Sequence, residues 1–319
     1  MTVSPPVPRA ELLARAEAAY LGLALGDALG ATVEFMTPRE IVHHHGVHRE
    51  ITGGGWLKLR PGQVTDDTTM SLALGESIRA HDGEITRLAS ARAFDAWMRG
   101  KPVDIGNTVR RNLLLFRRSG FPTAPPSEHD AGNGAAMRVL PVALATLDWS
   151  EYEVREACRM QAHVTHNNPV SDAACEFIAL AVQDFICGAS LREVYRGRIG
   201  PLIEAQPAFA FRGKPRRENP SGWIVETMQA VLQGLVEVGG FEHCLVDVVN
   251  RGGDADTTGA ITGMLAGALY GRAALPARWV KALDPAVRTA CSEQARALVT
   301  VAPAPTFARG IDRLGEGCE

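Results

Sequence analysis

The segment LLARAEAAYLGLALGDALG, residues 12–30, decides the fold class because its apolar residues repeat with the period of a helix. The residues that recur at three- and four-residue spacing are Leu12, Leu13, Ala16, Ala19, Tyr20 and Leu23. Such spacing places them on one face of a helix. We therefore expect an amphipathic helix near the start of the chain.

Three glycines in the same segment add a second feature to this helix. Gly22, Gly26 and Gly30 are four residues apart and lie on one helical face. Because glycine has no side chain, another backbone can approach closely along such a face. The sequence predicts a tight helix–helix contact here.

The helical period recurs along most of the chain. It predicts further helices over 68–81, 84–99, 106–118, 134–147, 151–163, 170–187, 222–238, 241–249 and 257–271. Strand signals are almost absent, since only 6% of residues are aromatic and no alternating β-branched run is bounded by hairpin turns. Residues 36–64 and 120–133 are rich in glycine, proline and polar residues and predict long, functional loops. We expect an all-α protein in which residues 1–319 form one compact domain, with a loosely held tail from about residue 303.

The composition excludes several classes of protein. Hydrophobic residues make up 46% of the chain and charged residues 22%, as in globular proteins with ample material for a core. The net charge of −3 argues against nucleic-acid binding, which normally requires a basic face. Apolar stretches such as 261–270 are too short to span a bilayer, and Arg9 and Glu11 precede any apolar run that could serve as a targeting signal. We expect a cytoplasmic protein without a membrane span.

The cysteines point to the same compartment. They lie at positions 158, 175, 187, 244, 291 and 318, and none forms a Cys-x-x-Cys pair. This scatter predicts reduced, buried thiols rather than a disulfide framework or a zinc site.

Two acidic clusters carry the chemistry. Thr65-Asp66-Asp67-Thr68 and Asp254-Ala255-Asp256-Thr257-Thr258 each follow a loop and precede a helical run. Carboxylate and hydroxyl oxygens are ligands for Mg²⁺ or Mn²⁺, and two such sets suit a pair of ions. A binuclear site can orient a hydroxylated substrate and activate water, so we expect a metal-dependent hydrolase.

Two other interpretations of the second cluster fail. The Asp-x-Asp-x-Thr string opens the haloacid dehalogenase phosphatase motif, but here it follows Asn250-Arg251-Gly252-Gly253 rather than an apolar strand. An EF-hand loop starting at Asp254 would need glutamate at its twelfth position, which is Leu265.

Further motifs accompany the clusters: Gly26-Asp27-Ala28-Leu29-Gly30 followed by Glu34-Phe35, Gly132-Asn133-Gly134-Ala135-Ala136-Met137-Arg138, and Thr165-His166-Asn167-Asn168-Pro169. Together with the two acidic clusters they resemble the ADP-ribosylglycohydrolase family from about residue 20 to about residue 270. Gly53-Gly54-Gly55-Trp56 and His166-Asn167-Asn168-Pro169 look most like the members that reactivate dinitrogenase reductase.

The resemblance implies an orthogonal all-helical fold with two Mn²⁺ or Mg²⁺ ions in a cleft. It implies two groups of metal ligands, which are Thr65, Asp66 and Asp67, and Asp254, Asp256 and Thr257. The residue types agree, because all six offer oxygen atoms only. They also leave coordination positions for water and substrate.

Two carboxylates are candidates for catalysis. The resemblance implies that Glu34 serves as general acid/base or bridges the metals; the alternative is a solvated loop glutamate. Asp104 matches a region where an acid assists catalysis at the ribose, and its alternative role is a helix N-cap. Asp27 is expected to hold helix and loop together by hydrogen bonds.

Two loops are candidates for substrate binding. Gly132-Asn133-Gly134 is predicted to present free N–H groups to a diphosphate at the start of a helix; the alternative is a plain turn. His166 and Asn168 match a family motif and are expected to stack on or hydrogen-bond the adenosine. The alternative for His166 is a structural histidine.

The resemblance implies hydrolysis of the N-glycosidic bond between ribose C1 and the guanidinium of an ADP-ribosylated protein arginine, with nitrogenase iron protein as the target. It also implies docking to a PII signalling protein and, through it, association with the ammonium channel at the membrane. One alternative keeps the chemistry but changes the target to ADP-ribosyl-serine, O-acetyl-ADP-ribose or another arginine protein. Another is a non-catalytic binding or structural relative, which would be expected to lose metal ligands, whereas all six are present.

Overall fold

The computed structural model describes residues 7–301, and most of these residues are helical. Within that range no β-strand occurs; two isolated bridges join Gly54 to Leu59 and Gly132 to Trp223. The all-α prediction is therefore confirmed. The predicted loose tail from about residue 303 lies outside the described residues.

The helices follow one another through short turns and a few long loops. They are α1 (Arg9–Gly30), α2 (Pro38–His45), α3 (Asp66–Ala80), α4 (Arg87–Arg99), α5 (Asn107–Ser119), α6 (Leu140–Ala145), α7 (Glu151–Ala162), α8 (Pro169–Ile186), α9 (Leu191–Val194), α10 (Gly200–Ala205), α11 (Ile224–Glu237), α12 (Phe241–Val249), α13 (Ala255–Tyr270), α14 (Ala277–Ala282) and α15 (Pro285–Thr300). A π-helical turn, Tyr195–Ile199, and two 3₁₀ turns complete the described elements.

The pair α1 and α13 forms the centre of the molecule. A Cβ on Gly26 would lie 2.0 Å from the carbonyl oxygen of Gly259, and one on Gly30 would lie 2.2 Å from that of Ala255. Gly22 meets α13 in the same way. The backbones therefore touch along the face that the glycine spacing predicted, and any side chain there would force them apart.

This contact is antiparallel, and it decides where the functional residues lie. From Gly22 to Gly30 along α1, the residues in contact on α13 run in the opposite chain direction, from Gly263 to Ala255. The end of α1 therefore lies beside the start of α13. Helix α3 packs against α1 and α13, and its start lies at the same end. Helices α8, α11 and α12 surround α13, which is buried over Ala255–Ala268.

The predicted helix over 134–147 is shorter than expected. Residues 134–138 form turns, and α6 begins only at Leu140. Pro141 explains the late start, because a proline inside a helix lacks an N–H and clashes with the carbonyl four residues before it. At the first turn, where it lies, the same proline is tolerated.

Several helices were not predicted. α2 lies inside the stretch 36–64, which reads as a loop, because its eight residues contain only Ile41 and Val42 as large apolar side chains, too few for a helical repeat. Thr37 and Glu40 nevertheless form a capping box at its start. Helices α9, α10, α14 and α15 were also missed; α15 begins at Asp284-Pro285, a start signal present in the sequence.

The cysteine prediction is right except at one position. Cys158, Cys175, Cys244 and Cys291 are buried free thiols, but Cys187 is exposed because it lies just past the end of α8. Cys318 lies outside the described residues. Within residues 7–301, no helix is both long and apolar enough to cross a membrane.

Candidate metal centre and active site

The first acidic cluster is fixed by a carboxylate from α1. Asp27 accepts hydrogen bonds from the backbone N–H of Thr65, at 3.0 Å, and from that of Thr68, at 3.1 Å. Thr65 is the N-cap of α3, and its hydroxyl accepts the N–H of Asp67. Asp27 thus binds the N–H groups that a helix start leaves without partners. This supports the expectation that Asp27 holds helix and loop together.

The second acidic cluster is joined to the loop that carries Glu34. The N–H of Phe35 donates to the carbonyl of Gly253 at 2.7 Å, and the N–H of Gly253 donates to the carbonyl of Met36 at 3.0 Å. The N–H of Asp254 donates to Pro220 at 2.8 Å. Residues far apart in sequence are therefore held together by backbone hydrogen bonds before any ligand binds.

The acidic side chains of the clusters and of Glu34 converge at the common end of α1, α3 and α13. One carboxylate oxygen from each of Glu34, Asp254 and Asp256 lies within 4.8 Å of the others. The hydroxyl of Thr257 lies 3.2 Å from Oδ2 of Asp67 and so connects the two clusters. The carboxylates line a cavity of about 320 Å³ that also includes Asp66, Thr257 and Asp104. Thr65 and Asp67 are buried and are not among the residues that line the cavity.

The cavity gathers several buried carboxylates, and the repulsion between them favours the binding of a cation. Burial, followed by the charge of neighbouring carboxylates, raises the pKa of Asp66 to about 7 and that of Asp67 well above its usual range. The pKa of Asp256 is raised for the same reasons. Among the described residues that line the cavity there is no lysine or arginine. Like charges at this separation cannot all remain ionised without a counter-ion.

The donor set fits a hard divalent ion. Every candidate ligand presents oxygen, and Oδ1 of Asp67 is buried without any hydrogen-bond partner. Buried polar atoms are normally satisfied, so an orphaned carboxylate oxygen beside other carboxylates is consistent with a metal ligand. The buried acidic cluster can therefore hold a metal ion.

Glu34 faces the cavity and is 5% exposed. Burial raises the pKa of its carboxyl to about 8; a hydrogen bond from Trp56 opposes the shift, and Asp254, Asp104 and Asp66 add to it. The indole N–H of Trp56 donates to Oε2 of Glu34 at 2.6 Å. Glu34 is thus a buried, oriented carboxyl and not a solvated loop residue.

Asp104 lines the same cavity from the loop before α5. It is not the N-cap, because α5 begins at Asn107 after Gly106. The N–H of Gly106 donates to Oδ2 of Asp66 at 3.3 Å, which ties this loop to the first acidic cluster. The loop therefore brings a second carboxyl to the site.

The glycine-rich loop contributes backbone to the cavity. A Cβ on Gly132 or on Gly134 would lie 3.0 Å or 2.9 Å from the ring of His166, so only glycine allows the backbone to approach the imidazole. The predicted helix start is wrong here, since α6 begins at Leu140. The N–H groups of Gly132 and Gly134 reach no backbone acceptor among the described residues. They remain able to donate to an anion.

Asn133 and His166 line the cavity through hydrogen-bonded side chains. The amide of Asn133 donates to Oδ2 of Asp254 at 2.6 Å and so orients a candidate metal ligand. Burial, together with the nearby Arg138, lowers the pKa of His166 to about 3, so its ring is neutral. Its Nδ1 lies 2.8 Å from the hydroxyl of Thr165. Its Nε2 side faces the glycine loop.

Asn168 does not line the cavity. Its side-chain oxygen accepts the N–H groups of Val170 and Ser171 at the start of α8, and its amide donates to the carbonyl of Ser127. These bonds use both ends of the side chain. Asn168 therefore caps α8 and holds the loop at Ser127, and its predicted contact with substrate stays a prediction.

Sequence reasoning gave no role to several residues that the structure brings to the site. In the sequence, Trp56 is only the last residue of a motif, and the one signal near it is the run of three glycines, which indicates an unusual turn. Asn107 and Thr108 line the cavity from the start of α5. Asn107 also lines an adjoining groove of about 780 Å³ along α5, which contains Arg110 and Arg111.

Comparisons with known proteins show which family the chain resembles over most of its length. The model of the ADP-ribosylglycohydrolase family matches residues 8–306. The chain is 48% identical to the ADP-ribosyl-[dinitrogen reductase] glycohydrolase of Rhodospirillum rubrum, over 90% of this chain and 96% of that protein. It is 32% identical to the ADP-ribosylarginine hydrolase Tri1 of Serratia proteamaculans (strain 568), over 95% of this chain and 84% of that protein. A solved structure described as an ADP-ribosylglycohydrolase-related protein complex matches with a TM-score of 0.81 at 33% identity, over 92% of this chain and all of that one. The chain therefore belongs to the ADP-ribosylglycohydrolase family.

Proposed function

We propose that this protein is a metal-dependent hydrolase that removes ADP-ribose from a modified protein arginine, and that its target is nitrogenase iron protein. The observation that carries the proposal is the convergence of Glu34, Asp104 and both acidic clusters on one cavity. The similarity to the ADP-ribosyl-[dinitrogen reductase] glycohydrolase supports the choice of target.

Two divalent cations, Mn²⁺ or Mg²⁺, would be held by Thr65, Asp66 and Asp67 and by Asp254, Asp256 and Thr257. When bound, they supply Lewis-acid polarisation of the ribose hydroxyls. Asn133 orients Asp254 through its 2.6 Å hydrogen bond, and Asp27 holds the loop of the first group. Outer hydrogen bonds of this kind fix the direction of the ligands.

The reaction breaks the bond between ribose C1 and the guanidine nitrogen. Its electron pair leaves with the nitrogen, the oxygen of a water molecule bonds to C1, and the proton lost by that water ends on the guanidine. Glu34 and Asp104 are the carboxyls that carry this proton. Glu34 suits the task because its carboxyl is buried, lines the cavity and is oriented by the N–H of Trp56.

The rest of the substrate occupies the other side of the cavity. The N–H groups of Gly132 and Gly134 would bind the diphosphate beside the neutral ring of His166. The adenosine would extend past Asn107 into the groove along α5, where the guanidinium groups of Arg110 and Arg111 offer planar faces for stacking on adenine. The polar groups of the cavity would thus match the charged parts of ADP-ribose.

Release of ADP-ribose from mono-ADP-ribosylated nitrogenase iron protein, with Mn²⁺ and with EDTA, tests the proposal. Metal-dependent release, together with inertness toward ADP-ribosyl-serine, is the expected result. Turnover of a small ADP-ribosyl-arginine compound without release from the iron protein would discard the target and favour another arginine protein, as the likeness to Tri1 suggests. No turnover of either substrate would favour a non-catalytic ADP-ribose-binding protein.

Regulation in the cytoplasm by a PII signalling protein, and through it by the ammonium channel at the membrane, is a further part of the proposal and rests on resemblance alone. Co-sedimentation with PII, in the presence and absence of its nucleotide effectors, tests it. Absence of a complex under every condition would remove this part.

A further inference from the structure

Two large aromatic side chains lie exposed beside Glu34. Phe35 is 65% exposed and Trp56 is 53% exposed, and their ring centroids are 5.4 Å apart at an interplanar angle of 46°. Phe35 lines the cavity. Exposed apolar surface next to a cleft commonly marks a site of interaction.

Hydrogen bonds hold this aromatic pair, Phe35 and Trp56, at the cavity. The indole N–H of Trp56 donates to Glu34 at 2.6 Å, and the N–H of Phe35 donates to the carbonyl of Gly253 at 2.7 Å. The pair is thus tied both to the candidate acid/base and to the loop of the second acidic cluster.

Positive φ angles surround the pair, and at Phe35 such an angle costs free energy. Phe35 has φ of 62°, a value that residues with a side chain rarely adopt. Gly53, Gly54 and Gly55 also have positive φ, which glycine adopts without strain, and a Cβ on Gly55 would lie 2.4 Å from the carbonyl oxygen of Ala31. The strain at Phe35 persists where the surrounding structure and a function require it.

The chemistry of the pair suits a planar cation. A guanidinium stacks on aromatic faces and is attracted by their π-electrons. The carboxyls of Glu34 and Asp104 are close by, and no lysine or arginine lines the cavity within the described residues. The proposed diphosphate site lies at Gly132 and Gly134. The aromatic pair is therefore available to the guanidinium, which lies on the other side of the scissile bond.

We propose that Phe35 and Trp56 form the subsite for the guanidinium of the modified arginine and so favour arginine-linked over hydroxyl-linked ADP-ribose. This inference rests on the proposed hydrolase function and adds to it the residues that recognise the leaving group. Trp56 has two parts to play: its ring contacts the guanidinium, and its N–H keeps Glu34 in place.

The test compares Trp56→Ala, Phe35→Ala and Trp56→Phe with the wild type. With ADP-ribosyl-arginine, we expect KM to rise about tenfold in the two alanine variants, as loss of an aromatic–cation contact predicts. Inhibition by ADP-ribose, which lacks the guanidinium, should be unchanged. Trp56→Phe keeps a ring but loses the N–H, so kcat should fall while KM stays within about threefold of the wild type.

The control is Tyr152→Ala, which removes an equally exposed aromatic residue on α7, outside the cavity. It should change neither constant. Circular dichroism checks that each variant is folded.

Two results would overturn the inference. Weaker inhibition by ADP-ribose in the alanine variants would mean that the pair stacks on adenine. A lower kcat with unchanged KM in all three variants would mean that it serves only to position Glu34. Binding of agmatine in the presence of ADP-ribose, measured by calorimetry, tests the subsite without turnover; it should weaken about tenfold in Trp56→Ala. A wild type inactive on ADP-ribosyl-arginine that still binds agmatine would contradict the proposed function and not the subsite.

Discussion

Asp27 and Glu34 lie seven residues apart at the end of α1, and both are buried, but their surroundings differ. Asp27 accepts the N–H groups of Thr65 and Thr68 and the hydroxyl of Thr68. Glu34 accepts a single hydrogen bond, from Trp56, and otherwise faces other carboxylates. Burial raises the pKa of Asp27 to about 6 and that of Glu34 to about 8.

The number of donors around each carboxylate accounts for its role. Three donors hold the Asp27 carboxylate in the interior and make it part of the helix start. Glu34 has one donor, so its charge depends on a cation or a proton. A buried carboxylate with few donors is therefore a better candidate for chemistry than one that is fully hydrogen-bonded.

The largest effect is expected at Asp256, which resembles Glu34 in its surroundings. The carboxylate of Asp256 accepts a hydrogen bond from the N–H of Thr257, and burial together with the charge of Glu34 raises its pKa. Asp256→Ala should lower the rate of ADP-ribose release on the order of 10³-fold because a cation site loses a ligand. The helical circular dichroism spectrum should be unchanged. Asp66→Ala should behave alike.

Asp148→Ala is the matched control, since Asp148 is exposed and does not line the cavity. Full turnover by Asp256→Ala would refute the metal assignment.

Glu34→Gln and Asp27→Asn test the comparison directly. Glu34→Gln should lower kcat by about 10²- to 10⁴-fold, the usual contribution of a proton-transfer group. It should not destabilise the EDTA-treated protein at neutral pH, because the metal-free carboxyl, with its pKa raised to about 8, is mostly protonated there and glutamine is a neutral group of similar shape.

Asp27→Asn should act mainly on folding. An asparagine cannot present two acceptor oxygens to the N–H groups of Thr65 and Thr68. The free energy of unfolding should therefore fall by about 1–3 kcal/mol, the cost of leaving buried donors unpaired. Urea titration of both variants gives this number. An equal loss of stability in Glu34→Gln and Asp27→Asn would contradict the distinction between a carboxyl that serves chemistry and one that serves the fold.

The pH dependence of stability should expose the same carboxyls. The pKa of Glu34 is raised to about 8 and that of Asp66 to about 7, so above pH 6.5 the folded protein binds more protons than the unfolded chain. Stability must then fall as the pH rises through this window. The EDTA-treated protein should melt several degrees lower at pH 8 than at pH 6.5, and Mn²⁺ should restore the Tm at pH 8.

The buried histidines His48 and His166, whose pKa values are lowered by burial, oppose this trend only near pH 6.5, because a histidine of the unfolded chain is mostly neutral above about pH 7. Glu34→Gln should reduce the dependence on pH. A Tm in EDTA that rises from pH 6.5 to pH 8 would show that these carboxyls do not control it.

The smallest effect is expected at Asn168, which resembles Asp27 because all its polar atoms serve the fold. Asn168→Ala removes the N-cap of α8 and should cost about 1 kcal/mol of stability. KM should change less than twofold. A large rise in KM without loss of stability would show that Asn168 contacts the substrate.

The fold class and the acidic residues could be predicted because they depend on local patterns. The glycine spacing of α1 predicted the close contact with another helix, and the clusters at Asp66 and Asp254 marked two helix starts. Short helices such as α2, with only one buried residue, have too few apolar side chains for a repeat to be recognised in the sequence.

The roles within the site were harder to predict, because they depend on which groups meet in space. His166 and Asn168 share one motif, but one lines the cavity and the other caps a helix. The hydrogen bond between Trp56 and Glu34 joins residues 22 positions apart, and no spacing rule indicates it.

The glycine contact between α1 and α13 has a consequence for how the cluster of like charges is kept together. Glu34 follows α1, and Asp254 and Asp256 begin α13, so the distance between them is set where Gly30 meets the backbone of Ala255. Backbone atoms in contact have no rotamers to lose or change. The free energy of folding therefore offsets the repulsion between the carboxylates before any ligand binds. An arriving cation would need to reorganise little of the chain, and its binding free energy would appear almost entirely as affinity and added stability.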